Sequence, residues 1–471
     1  MSAAEAWNIT TKEDSNNPGP PHYPKSGFDP QTGIYHSINK FGDQHKIPTR
    51  PDLDIATYVL SHFPHPHQAE SKIALIDSTT NQQVAYAWLQ RSIHSLAKGL
   101  YHTLGVRKGD VVFVLSPNSL LYPKICLAMF SIVRNSQASD SSAKLAILAP
   151  EELHKLVPTR VPTILTSRKP NKDSSSLSIE ELIESSDHLY QLPQVKLAQS
   201  DTTAILYSSG TTGTSKGVVL THAHFIADVA FLRWTVDISS TQNDVFLCFL
   251  PLFHIYGLSF FALGLFCVGT TTMVMKNNRK IESVLSHAML QAIKTHKVNN
   301  IPAVPLVILG LVKYTNEAGF EFELSSLRRV TTGAAPLSKE VGDGFRKKFP
   351  WVELRQGYGL RENCGASTFS PTHKEAKARS WSSGMLIPSF CAKVVDTETG
   401  NPLPPYREGE LWLKSPSIMK GYLENVEATA ATINSDGWLK TGDICYFDED
   451  GFLFIVDRVK ELIKHNGYQV P

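Results

Sequence analysis

The sequence predicts an α/β protein built on doubly wound parallel sheets, followed by a small, mostly β piece. Three observations predict it. Apolar runs that end in turn residues alternate with segments of helical spacing from Asp110 to Phe349, the pattern of strands joined by helical crossovers. From Glu410 the texture changes to short strands and turns, "GELWLKS" and "DGWLKTGDICYFDEDGFLFIVDR". The chain has 471 residues, enough for two to three domains at roughly 150 residues each.

The elements follow in order. Residues 1–50 are rich in Pro, Asn, Gly and Ser and read as an irregular arm wrapped over a domain. "DVVFVLSPNS" is a strand ending in turn residues, and "LYPKICLAMFSIV" a helix. "AKLAILAP", "EELHKLV" and "VPTILTS" make the next unit, and the polar linker "RKPNKDSSSLS" precedes the helix "IEELIESS". "TAILYSS" and "GVVLTH" read as strands flanking a Gly/Ser/Thr-rich loop. Then come "VFLCFLP", a long apolar run, "VNNIPAVP" and the helix "LVILGLVKY". "LRRVTTGAAPLSKEVGDGFRKKF" reads as strand, small-residue turn and a helix capped by Ser338.

Composition excludes several classes. Hydrophobic residues at 42%, charged residues at 19% and a net charge of +2 describe a globular protein with no field for a nucleic acid or an anionic membrane. Basic clusters such as Arg346-Lys347-Lys348 read as solvated helix faces. The six cysteines are scattered without a CxxC pair, which suits a reducing compartment and neither a disulfide framework nor a structural zinc site. The N-terminus carries no basic-then-apolar signal sequence. Tyr256 to Met275 is uncharged over about the length that spans a bilayer. Its interrupting glycines and threonines make it a buried helix followed by a buried strand instead.

The densest chemical signal is "LYSSGTTGTSKGVVLTH", Leu206 to His222. A P-loop needs Gly-Lys-Ser/Thr, but Ser215 precedes Lys216 and Gly217 follows it, so this is not a P-loop NTPase. The physics is shared. Glycines turn backbone N–H groups toward an oxyanion, hydroxyls add donors, and a lysine neutralises phosphate charge. The loop therefore reads as a phosphate cradle.

This stretch resembles the first signature of the adenylate-forming, acyl-activating superfamily. "PLFHIYG", "TGAAPLS", "RQGYGLRENCG", "GELWLKSPSIMKGY", "DGWLKTGD" and "DRVKELIKHNGYQVP" follow in that family's order, across nearly the whole chain. The resemblance is nearest to plant 4-coumarate–CoA ligases and their ligase-like relatives. It implies a large adenylate-forming N-terminal domain over 51–457 with a β-barrel-like subdomain. A hinge and the start of a mobile C-terminal domain would occupy 458–471. It also implies two-step chemistry: a carboxylate attacks the α-phosphate of Mg-ATP to give acyl-AMP and pyrophosphate, and CoA then displaces AMP.

Roles follow by position in the motifs. Ser208, Ser209, Gly210, Thr211, Thr212 and Lys216 are expected on the β- and γ-phosphates. Gln356, Gly357, Tyr358 and Gly359 are expected along adenine and the acyl group, with Ala334 nearby. Glu362 would hold Mg2+, since a hard cation prefers carboxylate oxygen. Asp443 would accept the ribose hydroxyls and Arg458 would pair with ribose and phosphate. Lys460 marks the hinge, with Lys464 on the same segment and Gly467 placed at CoA. His254 and Tyr256 would gate the passage between acyl pocket and nucleotide. The implied partners are a carboxylic acid, ATP and CoA, acting on a monomer in cytoplasm or peroxisome, without nucleic acid or membrane span.

The pattern also breaks. Arg361 stands where the family has a threonine that reaches the α-phosphate. Roughly two dozen residues, a strand and a short helix, are expected to be missing near 133–140, leaving neighbouring strands to find new partners. The chain stops at Pro471, before the C-terminal domain of about a hundred residues, so weak or absent thioester formation is expected. Asn277 and Asn466 take the places of two lysines assigned to CoA. Phe260 replaces the small serine of authentic coumarate ligases, leaving hydroxycinnamates, fatty acids and jasmonate-precursor acids all open. A catalytically inactive nucleotide- or acyl-binding protein is the alternative from another class.

Overall fold

A computed structural model describes residues 23–132, 134–136, 143–155, 161–167, 177–192, 195–208, 215–238, 241, 243–276, 287–314, 323–370, 372–459, 463–465 and 468–470. Two large sheets carry the parallel strands. In the seven-stranded sheet the order is Gly421–Tyr422, Lys216–Thr221, Thr202–Ser208, Arg134–Ser136, Val111–Leu115, Leu145–Leu148 and Thr163–Leu165. All pairs are parallel from the 202–208 strand onward, while the first three strands run antiparallel. In the nine-stranded sheet the five pairs between Glu353–Leu360 and Ile73–Asp77 are parallel, and antiparallel strands close both edges.

The sequence anticipated that strands near 133–140 would need new partners. The structure places the three-residue strand Arg134–Ser136 between 111–115 and 202–208, parallel to both. A short run of backbone suffices because the slot demands hydrogen-bonding groups, not a particular side chain.

The arm is also more regular than its composition implies. Phe28–Asp29 and Ile34–His36 form a hairpin, and its second strand pairs with Cys391–Val395. Tyr35 is fully buried there, stacked on Phe447 at 4.4 Å, and its hydroxyl donates to the Leu403 carbonyl at 3.0 Å. These two strands edge a six-stranded antiparallel sheet completed by Gly409–Lys414, Leu439–Phe447 and Leu453–Arg458, the β piece that the change of texture at Glu410 announced.

Helix His222–Asp237 lies where the cores meet. Its N-cap Thr221 and His224 form a capping box. Phe225, Ile226 and Val229 enter the larger core, while Ala227, Phe231 and Trp234 enter the smaller one behind the antiparallel sheet. A helix apolar nearly all round is a buried helix. The uncharged 256–275 run resolves into a helical turn Ile255–Gly257, wide and tight helical turns through Val268, and the buried strand Thr271–Val274. No helix among the described residues is long and apolar enough to cross a membrane. Ser338 caps Lys339–Lys348, its hydroxyl accepting from the Val341 N–H.

Candidate active site

The C-terminal ends of the parallel strands Arg329–Thr332 and Glu353–Leu360 open into a cavity of about 700 Å³, the usual place for a ligand in such sheets. Helix 222–237 and the 254–260 segment wall one end, and the 439–443 strand with Arg458 walls the other. Sequence motifs separated by up to about half the chain therefore converge. Lys216, Ala334, Gly357, Tyr358, Asp443 and Arg458 line this space, as do His254, Tyr256, Phe260, Gly359, Arg361 and Glu362.

At the polar end Asp443 is 4% exposed. Its Oδ2 accepts the Tyr358 hydroxyl at 2.5 Å, and its Oδ1 faces Arg458 Nε at 3.1 Å. The hairpin between 439–447 and 453–458 sets this pair, with Asp443 opposite Arg458 in register. Burial raises the Tyr358 phenol well above its ordinary pKa, and the Asp443 charge adds to the shift. Tyr358 therefore stays a donor, fixing the carboxylate in one orientation.

Glu362 extends from a short helical turn, Arg361–Asn363, at the end of the 353–360 strand. Its Oε1 accepts the Tyr422 hydroxyl at 3.1 Å. The ammonium of Lys216 sits 5.0 Å from the centre of the same Tyr422 ring, so Tyr422 lies between Lys216 and the acidic group. No cluster of three or more metal-ligating side chains exists among the described residues. A single carboxylate at a cavity wall suits Mg2+, which keeps waters and takes much of its coordination from substrate phosphates.

Where the two ends meet, His254 caps the 255–257 turn, its Nδ1 accepting from the Tyr256 N–H at 3.2 Å. Burial lowers its pKa to about 4, with the Arg361 charge a second cause. The imidazole is therefore neutral at physiological pH, its proton on Nε2. Arg361 lines the cavity beside Glu362. Burial lowers its pKa from the ordinary value while Glu362 opposes the shift. Phe260 packs against Phe246 at 5.8 Å and Tyr256 at 6.1 Å between ring centres, narrowing the apolar end.

Close backbone approach shapes the floor. A Cβ at Gly359 would lie 2.0 Å from the Gly365 carbonyl oxygen, so the 353–360 and 365–369 strands meet here only without a side chain. Ala334 holds a left-handed backbone, φ 66°, a conformation that costs energy and concentrates at functional sites.

Other predicted residues fall elsewhere. Gln356 is not among the lining residues; its amide donates to the Ser380 carbonyl at 2.8 Å, because the turn at 380 packs against it. Ser208 ends its strand opposite Lys216, and Lys464 pairs with Gln469 in a two-stranded hairpin. Ser209, Gly210, Thr211, Thr212, Lys460 and Gly467, with Asn277 and Asn466, lie outside the described residues. Sequence reasoning assigned no role to Tyr422 or Asp228. Tyr422 closes the "MKGY" motif, and Asp228 is the one acid of its apolar helix apart from the terminal Asp237. Burial raises the Asp228 carboxyl to about 8.

Comparison with known proteins shows the family and the fold. Residues 134–423 match the model of the AMP-binding enzyme family. The probable CoA ligase CCL5 of Humulus lupulus is 38% identical over 469 residues, covering 95% of this chain and 81% of that protein. The peroxisomal OPC-8:0-CoA ligase 1 of Arabidopsis thaliana is 40% identical over 442 residues, 90% of this chain and 78% of the relative. Among solved structures, Bacillus subtilis o-succinylbenzoate CoA synthetase in complex with its acyl-adenylate intermediate superposes with a TM-score of 0.71 at 25% identity. That match covers 89% of this chain and 81% of that one. A long-chain-fatty-acid–CoA ligase from Archaeoglobus fulgidus shares the fold, with a TM-score of 0.76 at 22% identity over 90% of this chain and 87% of that one. The chain belongs to the AMP-binding enzyme family, among the adenylate-forming acid–CoA ligases that use ATP, Mg2+ and CoA.

Proposed function

We propose that this protein activates a hydroxycinnamate or a related carboxylic acid as its acyl adenylate and passes it to CoA. One observation carries the reading: a single cavity joins a polar end bearing Asp443, Arg458, Lys216 and Glu362 to an aromatic end bearing Tyr256 and Phe260. ATP and acid can then meet at its waist. Asp443, oriented by Tyr358, accepts the ribose hydroxyls, and Lys216 neutralises charge on the β- and γ-phosphates with the 208–212 loop. Glu362 would hold Mg2+, which when bound would supply further neutralisation of phosphate charge. Fixed charges and donors in a partly closed site stabilise such phosphoryl chemistry better than water does.

Neutral His254 separates the two ends without adding a charge beside the attacking carboxylate. Lys460 and Lys464 serve the hinge segment, with Gly467 on the CoA side. Fatty acids or cyclopentanone acids form the second substrate class, favoured by the OPC-8:0-CoA ligase relative. That relative's peroxisomal address also supports a peroxisomal location.

Acid-dependent exchange of labelled pyrophosphate into ATP is the test. The chain is incubated with Mg2+ and a panel of aromatic and aliphatic acids. Exchange that depends on one acid class names the substrate. Nucleotide binding with no exchange on any acid favours the inactive binding-protein reading.

A further inference from the structure

Helix 222–237 contains one acid in its interior. Asp228 is 1% exposed and lines the cavity. Its Oδ2 is a buried polar atom with no hydrogen-bond partner. The Ser259 hydroxyl hydrogen-bonds the carboxyl and also reaches the Cys364 carbonyl at 3.4 Å, so Oδ2 is the oxygen left open. Gly365 makes room for the group: a Cβ there would lie 2.2 Å from Asp228 Oδ1. The same region of wall holds Ser259, Tyr256 and Phe260, the end assigned to the acyl group. Buried polar atoms are nearly always paired, and a carboxyl oxygen left unpaired weakens the fold. A ligand atom can complete the pairing that folding leaves open.

We propose that Asp228 reads the acyl group: the acid substrate carries a hydroxyl or carbonyl oxygen on its hydrocarbon part, and that oxygen pairs with the Asp228 carboxyl. This rests on the acid–CoA ligase reading and sets the substrate class, oxygenated acids over plain hydrocarbon ones. Burial keeps the carboxyl largely protonated near neutral pH. A neutral carboxyl both donates and accepts, so it serves a ketone or a hydroxyl equally. A site built around such a pair rejects an analogue lacking the oxygen, because the buried group is then left unpaired.

The test is calorimetric binding to the full 471-residue chain of matched acids differing by one oxygen. Suitable pairs are 4-hydroxycinnamate against cinnamate, and a series of oxo- and hydroxydodecanoates against dodecanoate. ATP titration of the same samples reports on the nucleotide end. In at least one pair the oxygenated acid is expected to bind roughly tenfold tighter or more. Asp228→Leu abolishes that preference, whereas Asp228→Asn, with similar shape and hydrogen-bonding capacity, keeps most of it. Equal affinity across every pair, or a preference that survives Asp228→Leu, overturns the proposal while ATP binding leaves the ligase reading standing. A wild-type chain that binds no ATP brings down the ligase reading, and this inference with it.

Discussion

Asp443→Asn is the sharpest test of the nucleotide end, because the structure separates its contacts with Tyr358 and Arg458. The Tyr358 hydroxyl donates to one carboxylate oxygen at 2.5 Å, and Arg458 Nε faces the other at 3.1 Å. An amide keeps the shape but offers one acceptor and a pair of donors, so one contact is lost and a donor faces a donor. The Arg458 side chain is 53% exposed, so solvent screens that pair to about 1 kcal/mol or less. The Tyr358 bond is buried and charge-assisted, worth about 1.5–3 kcal/mol. If the same carboxylate accepts ribose hydroxyls, nucleotide affinity loses a comparable amount, roughly ten- to a hundred-fold. Calorimetric titration with ATP and AMP measures the affinity, and urea unfolding of the same samples measures the stability. Tyr358→Phe, which removes only the orienting hydroxyl, is expected to cost less affinity than Asp443→Asn. Wild-type affinity in Asp443→Asn, with stability alone reduced, would refute the ribose assignment.

Further outcomes follow from the same geometry. Lys216→Ala is expected to weaken ATP binding by about ten- to a hundred-fold through loss of one charge-assisted contact; equal affinity would remove the lysine from the phosphates. Arg361→Thr is expected to raise acyl-adenylate formation, measured by pyrophosphate exchange, since the long side chain crowds the space beside Glu362; a fall would make the arginine a phosphate ligand. The same variant removes one cause of the low His254 pKa, which NMR titration should find raised but still below its ordinary value because burial persists.

Asp228, beside Ser259 and Cys364, has a carboxyl raised from 3.8 to about 8. The folded chain therefore holds a proton that the unfolded chain releases between those values. Its stabilising effect is complete below pH about 4 and lost as pH rises through about 8. Asp228→Leu is accordingly expected to gain stability over wild type as pH rises, by on the order of a few kcal/mol between pH 5 and 9. A pH-independent difference in urea midpoints counts against a carboxyl held protonated. Gly359→Ala, with its Cβ 2.0 Å from the Gly365 carbonyl oxygen, should lower Tm and disorder the cavity floor; a wild-type melting curve would contradict that close approach.

The sequence by itself determined the alternating strands and helices, the β piece after Glu410, the Ser338 cap and the run of motifs. Each is a local signal: apolar spacing, a capping hydroxyl, a glycine-rich turn beside a lysine. Tertiary structure decided what depends on distant partners. The 34–36 strand exists because Cys391–Val395 offers it an edge and a pocket for Tyr35. Residues 134–136 became a strand because two parallel neighbours presented unpaired backbone. Motif position alone carried Gln356 to the nucleotide, and packing against Ser380 holds its amide away from the cavity lining. Asp228 and Tyr422 had no recognised pattern around them. Their meaning came from burial, from the carbonyls, rings and carboxylates folded against them, and from the cavity they share with residues far along the chain. Spacing in sequence reports on neighbours within a few turns, whereas a site that draws on three sheets is fixed only when they come together.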